Sequence, residues 1–228
     1  MSSDRFRCGV EIDRKARMTI LLISLFVLSL IMSMFVRHLY SHSFMDCDNT
    51  YKSKAVFNRF YNKAHSEGIP LTPMQAIKLV YFAHAWNLGF FQRPLIDEPV
   101  EAWKFGTVIP SLYQSLKIYG ANPIEFPIIR HTGDYYLDLL IGNYRNIPED
   151  EIIPTDSLTD DERYIIDAVW DNYKNMDGFA MSDIIHQKGT PWDQIWRNGN
   201  CERHAVIPND LIRLYYSDKI MRQRQQNG

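Results

Sequence analysis

The sequence predicts a mainly α-helical protein with a small β element (α+β), a single compact helical domain preceded by a hydrophobic N-terminal segment. Three observations predict it. Apolar residues recur at helical spacing in most of the chain after residue 50, helix-start and helix-stop signals punctuate these stretches, and one short run alternates in the manner of a strand. The 228 residues are 46% hydrophobic and 23% charged, a balance that folds rather than staying a polar tail. At roughly 150 residues per domain, the length fits one core plus an appendage.

Residues 18–36 read MTILLISLFVLSLIMSMFV, 19 residues without a charge. At 1.5 Å per residue they span about 28 Å, close to the hydrocarbon thickness of a bilayer. Arg5, Arg7, Arg14, Lys15 and Arg17 precede this segment and no small-residue cleavage site follows it, which favours an uncleaved transmembrane helix over a secretory signal. A second reading stays open beside it. Met45 stands directly before a polar domain start, DCDNTYKSKAVFNRF, and as an initiator would leave residues 1–44 an untranslated start-site artefact. Either way residues 1–44 are an extension and 45–228 the folded domain, which carries 19 basic and 24 acidic side chains.

Val56, Phe57, Phe60, Tyr61 and Ala64 form an apolar stripe that predicts a first helix over 51–66, ended by Gly68 and Pro70. Thr72, Pro73, Met74 and Gln75 spell a capping box with proline at the first helical position, and the helix that starts there is apolar on nearly all sides, so it belongs at the centre of the core. Val100 to Phe105, VEAWKF, alternates like a short strand broken by Gly106 and Pro110. A helix from Pro110 follows, with Leu112, Leu116 and Tyr119 on one side. Residues 124–141 predict a hairpin around Thr132, Gly133 and Asp134, and Pro148 to Asp156 an acidic loop. A second capping box, Thr159 to Glu162, opens a helix striped by Ile165, Ile166, Val169, Trp170 and Tyr173 and stopped by Gly178. A short helix over 180–187, another from Thr190–Pro191 carrying Trp192, Ile195 and Trp196, and a last one over 209–222 complete the chain.

The three cysteines, Cys8, Cys47 and Cys201, are odd in number and far apart, so they make neither a disulfide framework nor a zinc motif. His65, His84, His131, His186 and His204 are scattered. No metal and no cofactor is expected, and no nucleophile elbow, phosphate loop or dinucleotide fingerprint is present. His84, on an apolar helical stripe, reads as a hydrogen-bonded core residue. His186, beside a Gly turn and a Pro–Trp helix start, reads either as a loop-fixing ring bonded to a backbone carbonyl or as an acid–base group of a small hydrolase-like enzyme, with Asp183 or Asp193 as partner. A net charge of −2 argues against nucleic acid as the main partner.

Pro70 to Phe90, Pro94 to Gly120 with its E-A-W-K-x-G-x-V-I-P run at Glu101 to Pro110, and Met181 to Trp196 with His186 before G-T-P-W together resemble the Panacea domain, the family of SocA-like antitoxins and phage-associated proteins. The resemblance covers about residues 51–217 and makes 45–228 a Panacea-like antitoxin domain. It implies a mostly helical bacterial or prophage protein that neutralises a toxin encoded nearby, by direct binding or as an adaptor to a ClpXP-type protease, with no catalytic residues. The motif residues it points to are Trp103, Lys104, Phe105, Gly106, Pro110, Tyr113, His186, Pro191 and Trp192. Of these, Trp103, Lys104, Phe105, Tyr113 and Trp192 are candidate anchors of a protein-binding surface, although Trp103 and Phe105 also fit the core of the short strand. It implies a cytoplasmic location; the alternative is an inner-membrane protein anchored through residues 18–36.

Overall fold

The computed structural model describes residues 52–130, 147, 149–198 and 204–226. The 1–44 extension with its 18–36 segment, the turn expected at Thr132 to Asp134, and all three cysteines lie outside them. Among the described residues no helix is long and apolar enough to cross a membrane.

The first apolar stripe forms helix α1 (Lys52–Glu67), with Val56, Phe57 and Phe60 fully buried. Helix α2 (Pro73–Phe91) starts at the expected capping box: Thr72 Oγ1 accepts from the Gln75 N–H, and Gln75 Oε1 accepts from the Thr72 N–H at 3.0 Å. From Ala76 to Gly89 every residue but Trp86 is buried, as the sequence predicts for a central helix. Around it pack α1, α4 (Asp160–Tyr173), α5 (Gly178–Ile185) and α7 (Asn209–Gln226), while α3 (Pro110–Leu116, continued by a 3₁₀ turn to Tyr119) and α6 (Pro191–Asn198) fill the periphery. The second capping box holds too, with the Thr159 N–H donating to Glu162 Oε2 at 2.8 Å. Glu162 also pairs with Lys52 at 2.9 Å, and a bidentate Arg59–Asp167 bridge ties α1 to α4 further along both helices.

Three expectations differ from the structure. The run around VEAWKF is not one strand but a hairpin: β1 (Glu101–Trp103) turns through Lys104 and Phe105 into β2 (Gly106–Val108). The sheet order is β2-β1-β3, antiparallel throughout, with β3 (Ala205–Val206) pairing Glu101 to Val206. Gly106 therefore begins a strand instead of ending one. Gly178 likewise does not stop α4, which ends at Tyr173; it opens α5, where Asp177 caps the helix by accepting from the Ala180 N–H at 2.8 Å. Finally, the acidic stretch after Pro148 is not merely a loop. Glu149–Glu151 form a 3₁₀ turn, Ile152 bridges Ile129, and Ile153 is buried. Asn58 of α1 fastens both strands of this pair: its Nδ2 donates to Ile128 O and Ile153 O, and its Oδ1 accepts from the Ile128 N–H, all within 2.9 Å.

Helix α7 lies against α2 through Ile212, Tyr216 and Ile220. The two helices approach closely at Gly89, where a Cβ would sit 2.9 Å from Tyr216 Cβ and 3.1 Å from the Tyr216 carbonyl carbon. Neither atom is the movable end of a side chain, so an added methyl must push the helices apart. We expect Gly89→Ala to destabilise the protein by about 1–3 kcal/mol, read as a fall in the midpoint of urea denaturation.

Candidate functional site

The site is built on a charge in an apolar place. Lys78 lies in the second turn of α2 and is 2% exposed. Its Nζ donates to Phe105 O at 2.7 Å and Thr107 O at 3.0 Å, the carbonyls on either side of Gly106. Burial pushes its pKa down from 10.5 to about 7, because a desolvated ammonium without a counter-ion is disfavoured. The neutral amine has two N–H groups, and two carbonyls receive them. Gly106 makes this approach feasible: its φ is +102°, and a Cβ there would stand 2.6 Å from Lys78 Nζ.

Helices α5 and α6 close the other side. Ser182 Oγ is within hydrogen-bond distance of Phe105 O (3.1 Å) and Gly178 O (2.9 Å). Thr190 starts α6, its Oγ1 bonding Ile185 O at 2.6 Å and accepting from the Asp193 N–H. That places Pro191 and Trp192 in the interior, and Trp192 Nε1 donates to Trp103 O at 2.9 Å. Trp103 is half-buried and makes edge contacts with Tyr113 of α3 (5.0 Å between centroids) and with His204 (4.6 Å). Glu101 Oε2 accepts from Trp103 Nε1 at 2.8 Å and lies 3.1 Å from His204 Nδ1. Pro110 is the first residue of α3, separated from β2 only by Ile109, the N-cap of that helix.

The structure thus brings the motif residues together around one hairpin but divides them into two kinds. Gly106, Pro191 and Trp192 are buried, and Trp103, Pro110, Tyr113 and His186 are half-buried. Lys104 and Phe105 point outward from the turn, Phe105 61% exposed and the Lys104 ammonium 5.4 Å from its ring centroid. Phe179, in the first turn of the same α5 that carries Ser182, is 69% exposed. Sequence reasoning missed Lys78, Thr107, Ser182 and Phe179. Only Lys78 carried a signal, as a lone charge in a helix with no polar face.

His186 caps the C-terminus of α5 with its ring 4.0 Å from that of Trp192. Among the described residues its buried Nε2 has no hydrogen-bond partner, and burial together with the Lys78 charge holds its pKa below the ordinary 6.5. An acid–base pair is not assembled: among the described residues no hydrogen bond joins His186 to Asp183 or Asp193. The Asp193 carboxylate instead accepts from the Gly189 N–H at 2.8 Å and pairs with Arg197. Among the described residues no three His, Cys, Asp or Glu are placed to hold a metal ion. His84 is the hydrogen-bonded core residue expected: its Nδ1 accepts from the Ile96 N–H, its Nε2 lies 3.0 Å from Asn209 Oδ1, and burial pushes its pKa down to about 4.

These burials set a pH dependence. Between about 7 and 10.5 the unfolded chain keeps a proton on Lys78 that the folded chain has released, so stability rises with pH across that window. Lys54, lowered by burial, acts in the same sense. Buried Tyr81 and Tyr216, both raised, reverse the slope above about 10, where the unfolded chain loses protons the folded one retains. We expect thermal denaturation followed by circular dichroism to give a higher melting temperature at about pH 9 than at pH 7, with Lys78 contributing at most about 1.4 kcal/mol per pH unit. Lys78→Met should flatten that limb.

The family model described as "Antitoxin SocA-like, Panacea domain" matches residues 77–193, a span that runs from the turn of α2 holding Lys78 through the hairpin to Trp192 and Asp193. Over 143 residues the chain is 32% identical to Antitoxin SocA of Caulobacter vibrioides (strain NA1000 / CB15N), covering 63% of this chain and 69% of that protein. No solved structure matches the chain. On the extent of these two matches, the chain belongs to the SocA-like Panacea-domain family.

Proposed function

We propose that this protein is the antitoxin of a bacterial or prophage toxin–antitoxin pair, and that it neutralises a toxin encoded nearby by binding it through the β1–β2 hairpin. The observation that carries this reading is an exposed ring on a fixed backbone. Phe105 is 61% exposed while its own carbonyl is held by Lys78 and Ser182 from beneath. Binding energy concentrates in aromatic and cationic anchors, and an anchor whose backbone is already ordered loses less entropy on docking. Lys104 adds a cation beside that ring, and Phe179 exposes a second ring on α5, the helix whose Ser182 braces the turn. The kinship with Antitoxin SocA supports a toxin as the partner. Direct binding and delivery to a ClpXP-type protease would both begin with this contact.

Co-expression with the product of the neighbouring gene tests the reading. Wild-type protein should restore growth, and Phe105→Ala should lose rescue with toxin affinity weakened by about 2 kcal/mol or more. Its melting temperature should stay within a few degrees, since a surface truncation changes stability by roughly 0.5 kcal/mol at most. Trp192→Ala should lose rescue and fold together. Full rescue by Phe105→Asp would remove the hairpin from the toxin interface. Rescue that needs an intact ClpXP-type protease, with the toxin disappearing, would assign the adaptor mechanism in place of inhibition by binding alone.

A further inference from the structure

A second surface lies away from the hairpin. Trp86 and Phe90 stand eight and twelve residues beyond Lys78 on α2, which places them roughly 12 and 18 Å along the helix and about 80° and 120° around it. With Tyr164, Asn172 and Tyr173 of α4 and Lys219 of α7 they line a groove of about 440 Å³. Its floor is fixed by packing: Tyr173 stacks on Phe82 at 4.5 Å, and Trp86 meets the edge of Tyr216 at 5.0 Å. Its rim is apolar and open, Phe90 being 47% and Tyr164 70% exposed.

Lys219 gives the groove its sign. Its ammonium stands 5.4 Å from the Trp86 centroid and 5.9 Å from that of Tyr216, and among the described residues it has no ion pair. Among the described residues no carboxylate lines the groove. Neighbouring acids are already engaged, Asp161 with Arg93 and Asp218 with Arg222, each at 2.7 Å. Burial holds the Lys219 pKa below its ordinary 10.5. Ring faces compensate a half-desolvated cation only in part, so an incoming anion would be stabilised there.

We propose that this groove docks an amphipathic peptide segment of a partner protein, which seats an apolar side chain between Phe90 and Tyr164 and sets a carboxylate on Lys219. The charge of the groove selects an acidic segment, and helix-walled grooves with aromatic rims take apolar side chains spaced three or four residues apart. The inference stands apart from the antitoxin reading, because it uses none of the hairpin residues.

Panning a random peptide display library on the full chain tests it. Recovered peptides should carry Leu, Phe or Trp at such spacing together with Asp or Glu, and should be enriched about tenfold or more over the Phe90→Ser protein. Lys219→Glu should turn the acidic preference into a basic one. A recovered peptide, synthesised with a fluorophore, should bind Lys219→Gln about tenfold more weakly by anisotropy. Circular dichroism of each variant, expected to match the parent, separates loss of the site from loss of the fold. Three results would each overturn the proposal: no peptide that distinguishes the chain from Phe90→Ser, an acidic preference that survives Lys219→Glu, or self-association in sedimentation that Phe90→Ser abolishes, which would make a second copy of the chain the occupant.

Discussion

A polar side chain on a helix buried from every side must find its partners inside the protein, and α2 carries three of them. Lys78 takes two carbonyls of the hairpin, His84 takes the Ile96 N–H and the side chain of Asn209, and Asn87 donates to Arg93 O at 2.8 Å. Leaving such a group unpaired costs roughly 1–3 kcal/mol. Lys78 therefore fixes the β1–β2 turn, His84 both the connection before β1 and the start of α7, and Asn87 the first residues of that same connection. The apolar stripes bring the helices together without direction, and these three residues decide what lies across them.

Much of the helical frame is legible in the sequence because its signals are local. The stripes of α1 and α4 and the two capping boxes lie within a few residues of the features they predict, and the structure bears them out. The hairpin escapes such a reading because β2 is only Gly-Thr-Val, too short to show alternation, and its opening glycine reads as a breaker. Gly178 misleads in the same way, since a glycine at a helix start differs from one at a helix end only through Asp177 beside it. Asn58 carries no signal at all: an asparagine in mid-helix says nothing about the distant carbonyls it will bond. For the candidate site, the motif residues are readable as a group through their resemblance to a family. Their separation into braces and outward-facing groups is not, because Lys78 and Ser182 act on backbone carbonyls, which have no identity in the sequence.

That separation has a mechanical meaning. Trp103, Tyr113 and Trp192 interlock with Glu101 and His204 to stiffen the base of the hairpin, while Lys104 and Phe105 occupy the two positions that the bracing leaves outside. A two-residue turn held on its inner side by an amine and a hydroxyl has little freedom left to lose. The same α2 that supports this turn carries Trp86 and Phe90 at its other end, so one rigid rod underlies both surfaces and fixes the separation between them.

The clasp made by Asn58 bears on how such a protein can diversify. It holds Ile128 and Ile153 side by side, with Arg130 N donating to Glu151 O at 2.7 Å, so that two points of the chain far apart in sequence are pinned to one side chain of α1. Loop-closure entropy grows only slowly with length, by about 0.6 kcal/mol per doubling. Pinning two such points together makes the register of α1 against this pair independent of the length of chain that joins them. Descendants of one scaffold can change chain length at such a clasp without moving the helices, while α2 and its attachments stay under the strict accounting of a packed interior.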